Sequence, residues 1–108
     1  MKVVAVFEDL LLGSNVLGML KAAGHDARLT NAANADATGA DLVIVDLQST
    51  DGPALAERFK GSKLLGVYSH VDAETKRRAE QAGFDLVVPR SRLAREGASL
   101  VDRLGRGD

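Results

Sequence analysis

The feature that most constrains the fold is a repeated alternation along the chain between short apolar runs rich in β-branched residues and longer segments with helical spacing. Four of the runs are continuously apolar, which is typical of strands that are covered on both faces. They are "KVVAVF" (2–7), "DLVIVD" (41–46), "KLLGVY" (63–68) and "DLVV" (85–88). "DARLT" (26–30) indicates a weaker, edge strand. Strand and helix in alternation predict an α/β fold, a doubly wound parallel sheet of five strands.

The first helix is predicted to begin at a capping residue, either Ser14 or Asn15, and to end at Gly24, where a left-handed residue commonly follows a helix. Its apolar face is predicted to hold Val16, Leu20 and Ala23.

Three further helices are predicted over 52–61, 71–83 and 91–104, the second of them capped by Asp72. The segment 31–39 takes the place of one more helix, but it is rich in Asn, Asp, Thr and Gly and has no apolar stripe. We therefore expect a turn of helix there at most.

Size and charge exclude several functional classes. A chain of 108 residues is sufficient for one domain, which we place at 1–105, with a frayed tail at 106–108. The net charge is −1, from 14 basic and 15 acidic residues, which does not favour binding to nucleic acid or to an anionic membrane. Cysteine is absent, and no apolar run is long enough to cross a bilayer. We expect a soluble cytoplasmic protein.

Acidic and polar residues follow the predicted strands where each strand ends. Glu8 and Asp9 follow the first strand, Asp46 closes the third, Ser69 closes the fourth and Arg90 follows the fifth. In an open parallel sheet, ligands bind beyond the carboxyl ends of the strands, so we expect these side chains at one edge. Three carboxylates there would repel each other unless a cation compensates, and Mg²⁺ prefers such oxygen ligands.

The same constellation predicts phosphoryl chemistry. An aspartate such as Asp46 can accept a phosphoryl group as an aspartyl phosphate. Transfer depends mainly on positioning and on positive charge near the phosphoryl oxygens, which a metal ion and Arg90 could supply. Ser69 would donate a hydrogen bond to the phosphoryl group.

The chain resembles the receiver domains of bacterial two-component response regulators along nearly its whole length. The matching segments are "VVAVFED", "DLVIVD", "VYSHVDAE" and "QAGFDLVVPRS". The resemblance implies the flavodoxin-like strand order 2-1-3-4-5 and a stand-alone signalling domain rather than an enzyme. It also implies partners: a histidine kinase or phosphotransfer protein, and a downstream protein bound through the fourth and fifth helices (71–83 and 91–104). The resemblance is also compatible with a homodimer.

Residue by residue, the resemblance assigns Glu8 and Asp9 to the acidic pair and Asp46 to the phosphoacceptor. It assigns Ser69 to the switch hydroxyl and Arg90 to the position of the lysine that contacts the phosphoryl group. The ligands implied for Mg²⁺ are the acidic pair, Asp46 and the backbone carbonyl of Gln48.

The sequence departs from the receiver pattern in ways that leave two other functions open. Arginine replaces the usual lysine at position 90, Pro89 precedes it, and His70 stands where a small residue is usual. One alternative is a phosphorylation-independent pseudo-receiver, with its pocket blocked by His70, that acts only by binding a protein. The other is a flavodoxin-like domain that binds a flavin or another phosphorylated ligand, which the repulsion between phosphate and the acidic pair disfavours.

Overall fold

A five-stranded parallel sheet forms the centre of the computed structural model, which describes residues 1–69 and 73–106. The strand order is β2-β1-β3-β4-β5, which confirms the predicted topology. The strands are β1 (Lys2–Val6), β2 (Asp26–Thr30), β3 (Leu42–Asp46), β4 (Lys63–Tyr68) and β5 (Leu86–Pro89). Every residue of the central strand β3 is buried, as its unbroken apolar run predicts.

Helices cover both faces of the sheet. Within the described ranges they are α1 (Leu10–Ala22), α2 (Gly52–Arg58), α3 (Ala73–Ala82) and α4 (Arg90–Gly105). The apolar side chains of α1 and α4 pack together in one core cluster, and those of α2 and α3 pack in a second cluster on the other face. None of the helices in these ranges is both long enough and apolar enough to span a bilayer.

Helix α1 begins earlier than predicted. Its N-cap is Asp9, whose carboxylate accepts a hydrogen bond from the amide of Leu12 at 3.1 Å. The predicted caps, Ser14 and Asn15, lie inside the helix and are exposed, so that part of the prediction is wrong. An aspartate cap satisfies an N–H group that the first helical turn leaves free, and this allows the helix to start directly after β1.

The end of α1 agrees better with the sequence. Val16 and Leu20 are buried as predicted, whereas Ala23 is the exposed C-cap residue instead of part of the apolar face. Gly24 follows with a φ of 89°, a conformation that glycine adopts without steric cost.

The segment 31–41 contains turns and no helix, in agreement with its lack of an apolar stripe. Two arginines hold it in place through backbone carbonyls: Arg58 donates to Ala32 and Ala35, and Arg28 donates to Asp36. The loop is therefore fixed against β2 and α2 by these polar contacts, and it adds the buried side chain of Ala35 to the core cluster of α2 and α3.

Several helix bounds differ from the prediction, most of them by one residue. Helix α2 ends at Arg58, before the predicted Gly61, and α4 begins at Arg90, one residue early. Asp72, the predicted cap of the helix at 71–83, and His70, the predicted block of the pocket, lie outside the described residues, as do the last two residues of the predicted tail.

Candidate functional site

Asp46 is the centre of the candidate site, at the carboxyl end of β3. It is 0% exposed, and no other charged residue in the described ranges is buried. One carboxylate oxygen, Oδ1, accepts a hydrogen bond from the amide of Gln48 at 3.1 Å. The other, Oδ2, accepts from the hydroxyl of Ser49 at 2.9 Å. These bonds replace water around a charge that is costly to bury.

Arg90 supplies the positive charge that balances Asp46. Its Nη2 lies 3.3 Å from Asp46 Oδ2, although the two residues are 44 positions apart in the sequence. Arg90 is the first residue of α4, so the packing of that helix on the sheet brings the guanidinium to the end of β3. Its side chain is 33% exposed, but its Nε is buried and has no partner among the described residues.

Gln48 and Ser69 extend the same hydrogen-bond network. The hydroxyl of Ser69 donates to Gln48 Oε1 at 3.0 Å, while the amide of Gln48 bonds to Asp46. The structure thus links four of the six predicted site residues, in the order Arg90, Asp46, Gln48, Ser69. The Ser69 hydroxyl reaches Asp46 only through Gln48.

Glu8 and Asp9 do not complete the predicted acidic cluster. The Asp9 carboxylate caps its own helix, and Glu8 is exposed at the end of β1. Among residues 1–69 and 73–106, no group of three or more acidic or histidine side chains is placed to hold a metal ion. The convergence of Glu8, Asp9 and Asp46 around a metal ion therefore stays a prediction. The free N–H groups and positive dipole of α1 stabilise the Asp9 carboxylate in its capping position.

The donor set around Asp46 does not fit Mg²⁺ as it stands. Both carboxylate oxygens already accept hydrogen bonds, and a guanidinium occupies the place of a counter-ion. A metal ion at Oδ2 would have to displace Arg90 and Ser49, and at either oxygen it would need further oxygen ligands in octahedral geometry.

Ser49 and Thr50 are site residues that the sequence analysis did not single out. Thr50 Oγ1 donates to the backbone carbonyl of Asp46 at 2.8 Å, and Ser49 bonds to its carboxylate. Hydroxyl side chains three and four residues after an aspartate commonly form such local bonds. The run "DLQST" carried that signal.

Comparison with known proteins shows that the fold of this chain is similar to that of solved receiver domains. No protein-family model matches the sequence, and no curated protein gives a significant match. The fold is similar to a CheY-like receiver domain protein from Methanospirillum hungatei, with a TM-score of 0.81, 14% identity, and 98% and 94% of the two chains covered. The receiver domain of the putative response regulator NarL from Mycobacterium tuberculosis gives 0.83, 18%, and 99% and 97%.

A third similar structure is the non-phosphorylated HemR receiver domain from Leptospira biflexa, with a TM-score of 0.79 at 18% identity, covering 96% of this chain and 93% of that one. Together with the strand order, these similarities confirm the resemblance to receiver domains at the level of the fold. The chain has the receiver fold over nearly its whole length.

Proposed function

We propose that this chain is a receiver-like signalling domain that acts by contact with another protein, without Mg²⁺-dependent phosphorylation of Asp46. The observation that carries the proposal is the state of Asp46: fully buried and paired with Arg90 at 3.3 Å. The receiver fold supports the signalling role. The ion pair supports signalling by protein contact rather than by phosphorylation of Asp46.

The ion pair disfavours phosphoryl transfer for a geometric reason. A nucleophilic carboxylate oxygen needs a free lone pair in line with the incoming phosphorus atom. Asp46 Oδ2 already accepts from both Ser49 and Arg90, Oδ1 accepts from Gln48, and the fully buried side chain presents neither oxygen to solvent, from which a phosphodonor would approach. An incoming phosphoryl group would also add negative charge at a site where Arg90 supplies a single positive charge.

We assign the contact with a downstream partner to α3 and α4, the helices on either side of β5. Helix α3 has one fully buried side chain, Ala79, and a partly buried one, Ala82, while its charged residues are exposed. A helix with so little buried surface can shift at low free-energy cost, which suits a surface that changes with signalling state.

The second candidate function is phosphoryl acceptance on Asp46 from a histidine kinase or phosphotransfer protein. The observation that favours it is the network itself, since Arg90 and Ser69 stand at the same sheet edge as the carboxylate. On this hypothesis the guanidinium would turn from the carboxylate to the phosphoryl oxygens after transfer.

Intact mass spectrometry separates the two candidates. The protein is incubated with Mg²⁺ and acetyl phosphate, beside an Asp46→Asn variant and an Arg90→Lys variant. We expect no phosphate-sized mass gain in any of the three. A gain in the native protein that disappears in Asp46→Asn would overturn the proposal in favour of phosphoryl acceptance.

A Mg²⁺ titration followed by calorimetry gives an independent reading. The native site should take up no Mg²⁺, because Arg90 holds the carboxylate. Saturable binding that Asp46→Asn abolishes would contradict this.

A further inference from the structure

The outer face of α1 is unusually apolar for an exposed helix. Leu10 and Leu11 are 70% and 76% exposed and are the large apolar side chains left open to solvent in the described residues. The exposed positions within 10–20 are Leu10, Leu11, Ser14, Asn15 and Gly18, and none of them is charged, in contrast to α3, whose exposed positions are mostly charged. Apolar surface left open in this way commonly marks a contact site.

Gly18 lies in the middle of this face and has no role in the packing of the chain itself. A Cβ atom built at Gly18 would meet no atom within 4 Å, whereas one at Gly13 would lie 2.8 Å from Leu29 Cδ1. Glycine inside an exposed helix is unfavourable compared with alanine. With Ser14 and Ala22, Gly18 forms a small-residue ridge at spacing i, i+4, i+8, which allows another backbone to approach closely.

Opposite charges mark the two ends of the face. Glu8 precedes the first turn, Lys21 lies in the last turn, and both are exposed. Neither takes part in any ion pair of the described chain. The helix is about 20 Å long at about 1.5 Å per residue. If two such helices cross antiparallel near Ser14 and Gly18, Glu8 of each copy comes within reach of Lys21 of the other.

We propose that the outer face of α1 is a self-association surface, on which α1 of a second copy packs antiparallel across a two-fold axis. The face is complementary to itself: large side chains at one end meet small ones at the other, and the terminal charges are opposite. A two-fold interface requires this self-complementarity. One helix from each copy buries less than a standard interface, so we expect a reversible dimer with a Kd of roughly tens to hundreds of micromolar.

Sedimentation equilibrium of the full chain tests the proposal. Over a concentration series of roughly 10 µM to 1 mM, which brackets the expected Kd, the average mass should rise from monomer towards dimer. Gly18→Ala should raise the melting temperature yet weaken association, a pair of opposite effects that general loss of structure cannot produce. Gly18→Leu should weaken association at least about tenfold. Ser99→Leu, at an exposed position on α4, is the matched control and should not change it.

Charge reversal tests the antiparallel arrangement separately. Lys21→Glu should weaken the dimer, and the double variant Glu8→Lys with Lys21→Glu should restore it. A protein that stays monomeric throughout the series overturns the proposal. So does a dimer that Gly18→Leu and Lys21→Glu leave unchanged, because the second copy would then bind elsewhere. Both outcomes are independent of whether Asp46 is phosphorylated.

Discussion

Replacing Arg90 by alanine should destabilise the fold, because it leaves the Asp46 carboxylate buried without its positive partner. Asp46 would keep its bonds to Gln48 and Ser49 but lose the only cation placed beside it in the described residues. Helix propensity does not confuse the comparison, since arginine and alanine are both good helix formers.

The magnitude follows from the burial of the two partners. Removing one partner of a fully buried ion pair costs about 3–5 kcal/mol. The Arg90 side chain is 33% exposed, so solvent already screens part of the interaction and lowers the cost below that range, to about 2–3 kcal/mol. Arginine at the start of a helix opposes the macrodipole, and its removal returns about 0.5 kcal/mol. The net cost is about 2 kcal/mol, or a fall in melting temperature of about 8 °C.

Urea and thermal unfolding followed by far-ultraviolet circular dichroism measure this cost; the chain has no tryptophan to report by fluorescence. Arg95→Ala is the matched control, because Arg95 lies on the same helix with its side chain 70% exposed and should cost less than about 0.5 kcal/mol. The double variant Arg90→Ala with Asp46→Asn should recover part of the loss, since the uncompensated charge is gone. An Arg90→Ala cost no larger than that of Arg95→Ala would refute the structural role assigned to the ion pair.

Three further predictions concern other parts of the fold. Asp9→Ala should cost about 1 kcal/mol of unfolding free energy by removing the cap of α1, with Asp9→Asn close to the native protein; equal losses in both variants would argue against capping. Thr38 lowers the pKa of Asp36 from its ordinary value of 3.8 through its hydroxyl and its amide. A carboxyl group whose pKa is lowered by folding stabilises the fold at pH values above its unfolded pKa, and this stabilisation is lost as the pH falls through its folded pKa. The loss of unfolding free energy in Thr38→Val should therefore be present at neutral pH and vanish in acid. A deficit that does not change with pH would show that the hydroxyl acts otherwise. Hydrogen exchange should be faster in α3, where Ala79 is the fully buried side chain, than in the entirely buried β3, and equal protection of the two would exclude a mobile α3.

Local patterns in the sequence were sufficient for most of the fold. Continuous apolar runs predicted four of the strands to within about two residues, because strands buried on both faces rarely accept polar residues, and the weaker run "DARLT" predicted the edge strand β2. The absence of an apolar stripe at 31–39 predicted a turn of helix at most, because a helix without an apolar face has nothing to pack against the sheet. The edge of the sheet at which the site would lie followed from the parallel topology.

The contacts made at that edge depended on the tertiary structure. Each carboxylate had two partners within reach: Asp9 could cap α1 or face the pocket, and Asp46 could bind a cation or Arg90. Sequence spacing does not rank such choices, since they depend on which donors the folded chain brings close and how much water it removes. Helix α4 carries Arg90 to within 3.3 Å of a carboxylate 44 residues away, while Asp9 stays bonded to its own helix. Sequence alone determined which residues stand at the edge, and only packing decided which of them meet, because burial sets the free energy of each pair.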